Sequence, residues 1–255
     1  MKRALISDVH SNLEALRAVL MDIRAEGITE IYSLGDSIGY GPNPRECLDL
    51  VMRFKVAILG NHDQAAMVDP KGFNAAALEA AYWTRDQLES GPGNTAMINR
   101  RWDFLGELPT HYLEEPYLFV HGSPRDPTNE YVFPEDIFKP QKIDALFNAL
   151  QKRGGIYSFQ GHTHIPGLFT PDYQFVSPED CDGYYKLGGT PALINVGSVG
   201  QPRDGDPRAC YTILDTDSNS LQFKRVEYPK ETTREKIMAI ESLSNLLGDR
   251  LISGR

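Results

Sequence analysis

The sequence predicts an α/β fold, and three observations lead to this prediction. Short apolar runs alternate with helical patterns in the first half of the chain. Polar side chains of the kinds that bind metals directly follow several of these runs. The length of 255 residues, with 41% hydrophobic residues, is enough for a sizeable buried core. We therefore expect a globular protein with one domain over residues 1–255.

The first elements alternate between strand and helix. Apolar runs at 4–6, 31–34 and 56–59 predict three strands. Ser11 and Glu14 have the spacing of a capping box, which predicts a helix with its N-cap at Ser11. After the second run, Asn43-Pro44 gives an N-cap followed by proline at the first helical position.

The middle of the chain predicts helices and the second half predicts mainly strands. Residues 64–110 hold two helical stretches, 73–90 and 95–107, which we expect to form a cap or flank around the breaker Gly91-Pro92-Gly93. The predicted later strands are 117–120, 156–159, 193–196, 210–214 and 221–224. Residues 171–190 predict a hairpin or surface loop.

Residues 231–248 predict a terminal helix with one apolar side. The residues on that side are Ile237, Ile240, Leu243 and Leu247. A single apolar stripe fits packing on its own domain or on a second copy of the chain, so a homo-oligomer stays open.

Charge and cysteine content exclude several classes of function. The formal net charge of −9 and the lack of a Lys/Arg cluster disfavour duplex nucleic acid as a partner. No apolar window approaches the length of about 18 residues that a membrane span needs. Cys47, Cys181 and Cys210 are odd in number and far apart, which argues against disulfides and thiolate metal sites. We expect a cytoplasmic protein.

Polar residues follow five predicted strands, and this pattern carries the functional prediction. The five segments are Asp8-Val9-His10, Gly35-Asp36, Gly60-Asn61-His62-Asp63, His121-Gly122 and Gly161-His162-Thr163-His164. Open α/β sheets bind ligands beyond the carboxyl ends of their strands, so these segments are expected to converge on one crevice. Each segment alone would fit a helix cap, a turn or a structural histidine, but their coincidence favours a metal site.

The types of ligand narrow the choice of metal. Imidazole, carboxylate and amide oxygen without thiolate suit Mn, Fe, Zn, Co or Ni ions. So many ligands predict two ions, which could share a carboxylate and a water between them. A pair of ions about 4 Å apart favours in-line displacement at phosphorus, so the sequence predicts phosphate ester hydrolysis.

The same segments resemble the calcineurin-like metallophosphoesterase family, whose pattern runs D-x-H, G-D-x-x-D, G-N-H-[DE], H and G-H-x-H. The resemblance spans residues 4 to about 200. The segments 39–44, 121–124 and 195–203 are similar to the small bacterial and archaeal, phosphodiesterase-like branch. The resemblance implies a four-layer α-β-β-α sandwich with two central mixed sheets.

The resemblance also implies a role for each matching residue. One metal would be held by Asp8, His10 and His164, the other by Asn61, His121 and His162, with Asp36 bridging the two. His62 would be the catalytic acid that protonates the leaving oxygen, while a metal-bridging hydroxide attacks phosphorus. Asn12 would contact a phosphate oxygen or cap the first helix.

The chain departs from the family pattern at one position. Gly39 stands where many members have the second Asp of G-D-x-x-D, so the carboxylate partner of His62 is missing there. Protein phosphatases also have an Arg directly after this block, where this chain has Tyr40. Arg125 and Arg203 lie in loops expected to border the crevice, where they would contact substrate phosphate or form surface salt bridges.

Three functions follow from these residues. The first is hydrolysis of a phosphodiester or phosphomonoester, with a small molecule or nucleotide as substrate. The second is a protein serine/threonine phosphatase, which the missing Asp and Arg disfavour. The third is a catalytically silent scaffold of the same fold, against which the complete ligand set argues.

Overall fold

The computed structural model describes residues 1–70, 72–90 and 94–255. Within these residues, twelve strands form two six-stranded sheets. The strands are β1 Lys2–Ile6, β2 Glu30–Ser33, β3 Val56–Ala57, β4 His111–Glu114, β5 Tyr117–Val120, β6 Tyr157–Gln160, β7 Gly167–Phe169, β8 Phe175–Val176, β9 Tyr184–Lys186, β10 Ala192–Asn195, β11 Ala209–Asp215 and β12 Ser220–Val226. The α-helices are α1 Leu13–Ala25, α2 Pro44–Val51, α3 Asn61–Met67, α4 Ala75–Ser90, α5 Thr95–Glu107, α6 Pro140–Lys152, α7 Lys230–Met238 and α8 Asn245–Ser253.

Both sheets are mixed. The first has the order β3-β2-β1-β11-β12-β9, in which β1, β2 and β3 are parallel and the other pairs are antiparallel. The second has the order β4-β5-β6-β10-β7-β8, in which β5, β6 and β10 are parallel. Each sheet therefore presents three carboxyl ends of parallel strands at one edge.

Alternation along the strands builds a core in layers. On β1, Leu5 faces the second sheet and packs in one cluster with Phe119 and Phe159, whereas Ala4 and Ile6 face α1. On the far side of the second sheet, residues of β5 pack against Ile143, Leu146 and Leu150 of α6. The predicted four-layer α-β-β-α sandwich is thus confirmed.

Most predicted elements are present, with corrections at several positions. The N-cap of α1 is Asn12 rather than Ser11, because the Asn12 Oδ1 accepts a hydrogen bond from the Ala15 amide at 3.1 Å. Strands β4 and β7 and helices α3 and α6 were not predicted, and the two strands within residues 171–190 do not form a hairpin with each other, because β8 pairs with β7 and β9 with β12. The two helices predicted within 64–110 are confirmed as α4 and α5, and the Gly91-Pro92-Gly93 breaker lies outside the described residues.

The single helix predicted over 231–248 is wrong. The chain forms α7 and α8 instead, separated by a turn in which the Leu243 amide donates to the Ile240 carbonyl. Both helices contribute to an apolar cluster with α4 and Tyr40, through Ile237, Leu247 and Leu251.

Over the described ranges, no helix has the length and apolar character needed to cross a membrane.

Candidate metal centre

All seven predicted metal ligands meet beyond the carboxyl ends of the parallel strands. Asp8 and His10 follow β1, Asp36 follows β2, Asn61 opens α3 after β3, His121 follows β5, and His162 and His164 follow β6. Each of these residues is at most 7% exposed. Both sheets therefore contribute ligands to one buried cluster, as the strand-end pattern predicts.

The ligand atoms form two groups joined by a carboxylate. Asp8, His10 and His164 offer ligand atoms within 4.8 Å of one another, and so do Asp36, His121 and His162. The Asn61 Oδ1 lies 3.0 Å from the His121 Nε2 and extends the second group. Asp36 lies between the two groups, since its Oδ2 is 3.3 Å from the His121 Nε2 and 3.6 Å from the His10 Nε2.

Each of the four histidines among these ligands has one ring nitrogen within hydrogen-bond distance of a backbone carbonyl. The pairs are His10 Nδ1 with Ile38 at 3.3 Å, His121 Nδ1 with Leu34 at 2.8 Å, His162 Nε2 with Asn129 at 3.2 Å, and His164 Nδ1 with Gln201 at 2.6 Å. A carbonyl oxygen can only accept, so each of these nitrogens is the donor. The other nitrogen of each neutral ring then carries its lone pair into the cluster, which is the usual arrangement of metal-ligating histidines.

The nitrogens inside the cluster face one another at short range. His10 Nε2 is 3.2 Å from His164 Nε2, and His121 Nε2 is 3.1 Å from His162 Nδ1. Two lone pairs at this distance repel unless a cation or a proton lies between them. Four imidazoles, two carboxylates and an amide oxygen suit borderline divalent ions, so the donor set fits a metal centre.

Burial and neighbouring charge set the pKa values of these groups. Burial lowers the pKa of His10 well below its usual range, and burial together with His121 lowers that of His162 to about 3. Burial alone would lower the pKa of His121 as well, but the Asp36 carboxylate raises it to about 9. A metal ion bound by this ring would compete with that proton.

The ligand loops use uncommon backbone geometry. Asp8, His10, Asp36, His162 and His164 have φ angles between 46° and 68°. Left-handed geometry costs a non-glycine residue about 1–3 kcal/mol and tends to mark functional sites. The loops also pass close together, since a Cβ atom on Gly161 would lie 2.4 Å from the Asp8 Oδ2.

His62 is placed differently from the other site histidines. Its ring packs between Tyr40 and Phe73, at centroid distances of 4.3 and 4.6 Å, and its buried Nδ1 has no hydrogen-bond partner among the described residues. Burial lowers its pKa to about 4, and the Arg203 charge acts in the same direction against Asp36. His62 also lies within ligand distance of His10 and Asp36, as a third group of candidate ligands.

Comparison with known proteins agrees with this geometry. The family model of the calcineurin-like phosphoesterase superfamily domain matches residues 1–219. The chain belongs to this superfamily. An uncharacterized protein of Methanocaldococcus jannaschii is 37% identical over 265 residues, which cover 99% of this chain and 98% of that protein.

Solved structures of the superfamily fold include bacterial and archaeal proteins. A metallophosphoesterase from Sphaerobacter thermophilus is 34% identical, covers 100% of this chain and 99% of its own, and has a TM-score of 0.80. A hypothetical protein from Pyrococcus horikoshii is 21% identical, with 100% and 98% coverage and a TM-score of 0.76, and shows the fold alone. The predicted family and its small bacterial and archaeal branch are thus confirmed.

The departure from the superfamily pattern at Gly39 has a structural counterpart. Gly39 has a φ angle of 93°, and a Cβ atom there would lie 2.7 Å from the His62 Nδ1. The His62 ring therefore fills the space next to the backbone at this position. An Asp at position 39 would require His62 to move.

The predicted substrate contacts occupy different environments. Asn12 caps α1, and its Nδ2 donates to the Gly200 carbonyl at 2.8 Å, so the capping alternative is confirmed. Arg125 pairs with Glu130 and its side chain is 48% exposed, which confirms the salt-bridge alternative for this residue. Direct phosphate contacts of Asn12 and Arg125 stay predictions.

Arg203 lies next to the candidate metal centre. Its amide donates to the His164 carbonyl at 3.3 Å, its guanidinium carbon is 5.9 Å from the centre of the Tyr40 ring, and its Nη2 donates to the Gln201 Oε1. The buried Nε of Arg203 has no partner among the described residues. The contact of Arg203 with substrate phosphate stays a prediction.

Two residues that shape the site were assigned no role from the sequence. Asp63 accepts from the Gly60 and Ile38 amides at 3.1 and 3.2 Å, which ties together two ligand loops. Tyr131 stacks on the ring of His162 at a centroid distance of 3.7 Å. Asp63 follows His62 directly and could have been found from the G-N-H-[DE] pattern, but Tyr131 carries no local signal.

Proposed function

We propose that this protein is a dinuclear metal-dependent phosphoesterase acting on small phosphorylated molecules. The observation that carries the proposal is the orientation of His10, His121, His162 and His164, each bound to a carbonyl on one side and facing Asp8 or Asp36 on the other. Side chains that are oriented in advance in this way are typical of sites that hold metal ions at fixed positions.

Each residue has a role in this proposal. Asp8, His10 and His164 hold one ion, and Asn61, His121 and His162 hold the other, with Asp36 shared. When bound, a pair of ions supplies Lewis acidity and lowers the pKa of water at the site.

His62 and Arg203 act on the substrate in this proposal. His62, whose ring packs between Tyr40 and Phe73 beside the ligand cluster, gives a proton to the leaving oxygen. Arg203 binds a phosphate oxygen from its place over Tyr40.

The experiment is to strip the protein of metal and restore Mn²⁺, Fe²⁺, Zn²⁺, Co²⁺ or Ni²⁺ separately. Bound ions are counted by elemental analysis, and turnover is measured on nitrophenyl monoester and diester substrates. We expect two ions per chain and turnover that returns only with metal. Two bound ions without turnover of any ester would favour the scaffold, and a strong preference for phosphopeptides would favour the protein phosphatase.

The proposal also covers the cellular compartment and the class of substrate. Three free cysteines, of which Cys47 and Cys210 are buried, support a reducing compartment such as the cytoplasm. The net charge of −9 supports a small substrate over duplex nucleic acid. Assays on duplex DNA and on nucleotides under the same conditions test this choice.

A further inference from the structure

A cavity of about 460 Å³ opens beside the metal-ligand cluster. Its described lining consists of Asn61, Gln64, Ala65, Val68, Asp69, Pro70, Phe73 and Asn129. This volume lies within the range of small-molecule sites, and it exceeds what a phosphate group alone requires. The cavity therefore has room for an organic part of the substrate.

Three lining residues connect the cavity to the site chemistry. Asn61 offers its Oδ1 to the second group of ligands, and the Asn129 carbonyl lies 3.2 Å from the His162 Nε2. Phe73 packs its ring against that of His62. The cavity therefore borders the side of the cluster on which His62 lies.

The position of His62 determines which part of an ester would enter. An acid must lie within hydrogen-bond reach of the oxygen that it protonates, so the leaving oxygen lies near His62. Phe73 both contacts the His62 ring and lines the cavity, so a carbon skeleton attached to that oxygen can enter the cavity past Phe73. The part of the ester that stays on phosphorus has no such constraint.

The lining is chemically suited to an uncharged ring. Ala65, Val68, Pro70 and Phe73 provide aliphatic and aromatic surface, and Gln64 and Asn129 carry neutral amides. Asp69 is the one charged residue of the described lining, and its 86% exposed side chain faces Arg85 at 3.7 Å.

We propose that this cavity binds the leaving alcohol, and that the substrate is a phosphate ester of an uncharged, ring-bearing alcohol. The inference rests on the proposed function. Water supplies the oxygen of the new P–O bond, the P–O bond to the alcohol breaks, and the leaving oxygen takes its proton from His62. Ring-bearing alcohols should bind here through contact with Val68 and Phe73.

The test fills the cavity and compares two leaving groups. Val68 is 54% exposed on the cavity wall, and Met21, 74% exposed on α1, is the matched control. Val68→Trp and Met21→Trp are assayed with restored metal on 2-naphthyl and 2,2,2-trifluoroethyl esters, as monoesters and as methyl diesters. The trifluoroethyl group has no ring.

We expect Val68→Trp to raise KM at least tenfold for the naphthyl ester and less than twofold for the trifluoroethyl ester. Met21→Trp should change neither KM. An equal rise for both esters, or no rise for either, would overturn the inference.

A binding measurement separates this inference from the proposed function. Calorimetric titration of the metal-free protein with 2-naphthol should show binding that Val68→Trp weakens at least tenfold and Met21→Trp leaves unchanged. If no ester is turned over with any metal, the proposed hydrolysis fails while naphthol binding still tests the cavity. Naphthol binding that Val68→Trp leaves unchanged would overturn the ring site even in an active enzyme.

Discussion

The metal-ligand cluster and the cavity beside it are built in different ways. The seven predicted ligands are at most 7% exposed, five of them have left-handed backbone, and their loops make close contacts that a side chain on Gly161 would prevent. The cavity wall is formed by the end of α3 and the segment after it, where Val68 is 54% exposed.

This difference separates the chemistry from the choice of substrate. A change in the cluster disturbs several hydrogen bonds and packed backbones at once, whereas a change at an exposed wall residue affects one contact. We therefore expect metal binding and hydrolysis to be sensitive to substitution at the cluster. Substrate preference should change through the wall with little effect on the metals.

The largest expected effect comes from His121→Ala. His121 contacts Asn61, His162 and Asp36, so its loss should release one ion. We expect kcat/KM to fall by more than about 10²-fold, which exceeds the usual effect of removing a residue that only hydrogen-bonds a metal ligand. His111→Ala is the control, because that histidine is exposed on β4. Elemental analysis and nitrophenyl ester turnover provide the readouts, and retained activity with one ion would contradict the shared role of the cluster.

His62→Asn should lower kcat by about 10²- to 10⁴-fold, the range of a general acid, while two ions remain bound. The reason is that His62, which packs against Phe73 at the cavity side, is proposed to protonate the leaving oxygen. Kinetics and metal counts are measured on the same samples. Loss of one ion would instead make His62 a ligand in the group with His10 and Asp36.

Gly39→Ala should lower kcat about tenfold or more by displacing His62, since small misplacements of catalytic groups have large effects on rate. Gly189→Ala is the matched control, with a φ angle of 85° against 93° and no atom within 4 Å of an added Cβ. Both variants should lose about 1–3 kcal/mol of unfolding free energy from backbone strain. Equal kcat values in the two variants would show that the Gly39 contact has no catalytic effect.

Arg203→Ala gives the smallest effect in this series, a rise in KM of about tenfold, equivalent to about 1.4 kcal/mol of binding. Arg208→Ala serves as the comparison, because Arg208 pairs with Asp206 at the surface. The KM values of the two variants are compared by steady-state kinetics on one ester. An unchanged KM in Arg203→Ala would remove Arg203 from the substrate site.

The sequence predicted the layers of the fold better than the helix boundaries. Short apolar runs predicted the strands of the core because burial on both faces leaves a continuous apolar signal. The break between α7 and α8 was missed because the stripe through Ile240 and Leu243 keeps helical spacing across the turn. Helix α6 carries the periodic residues Ile143, Leu146 and Leu150 and could have been predicted from them.

For the site, the sequence predicted which side chains come together but not what orients them. Each predicted ligand is a polar residue at a strand end, so a local pattern is enough. The carbonyls of Asn129 and Gln201, which orient His162 and His164, belong to loops whose paths depend on tertiary packing. The cavity wall likewise depends on where the segment containing Phe73 packs. Neither a backbone carbonyl nor a cavity is marked by a particular residue type, so the sequence alone does not predict them.

The packing of α7 and α8 on Tyr40 has a consequence for synthesis of the protein. Tyr40 contacts His62 on one side and shares an apolar cluster with Ile237, Leu247 and Leu251 on the other. A ribosome makes His62 long before it makes α7, which begins at Lys230. The nascent chain therefore carries all seven predicted ligands before the helices behind Tyr40 exist, and the His62 side of the cluster is completed only after α8 has emerged.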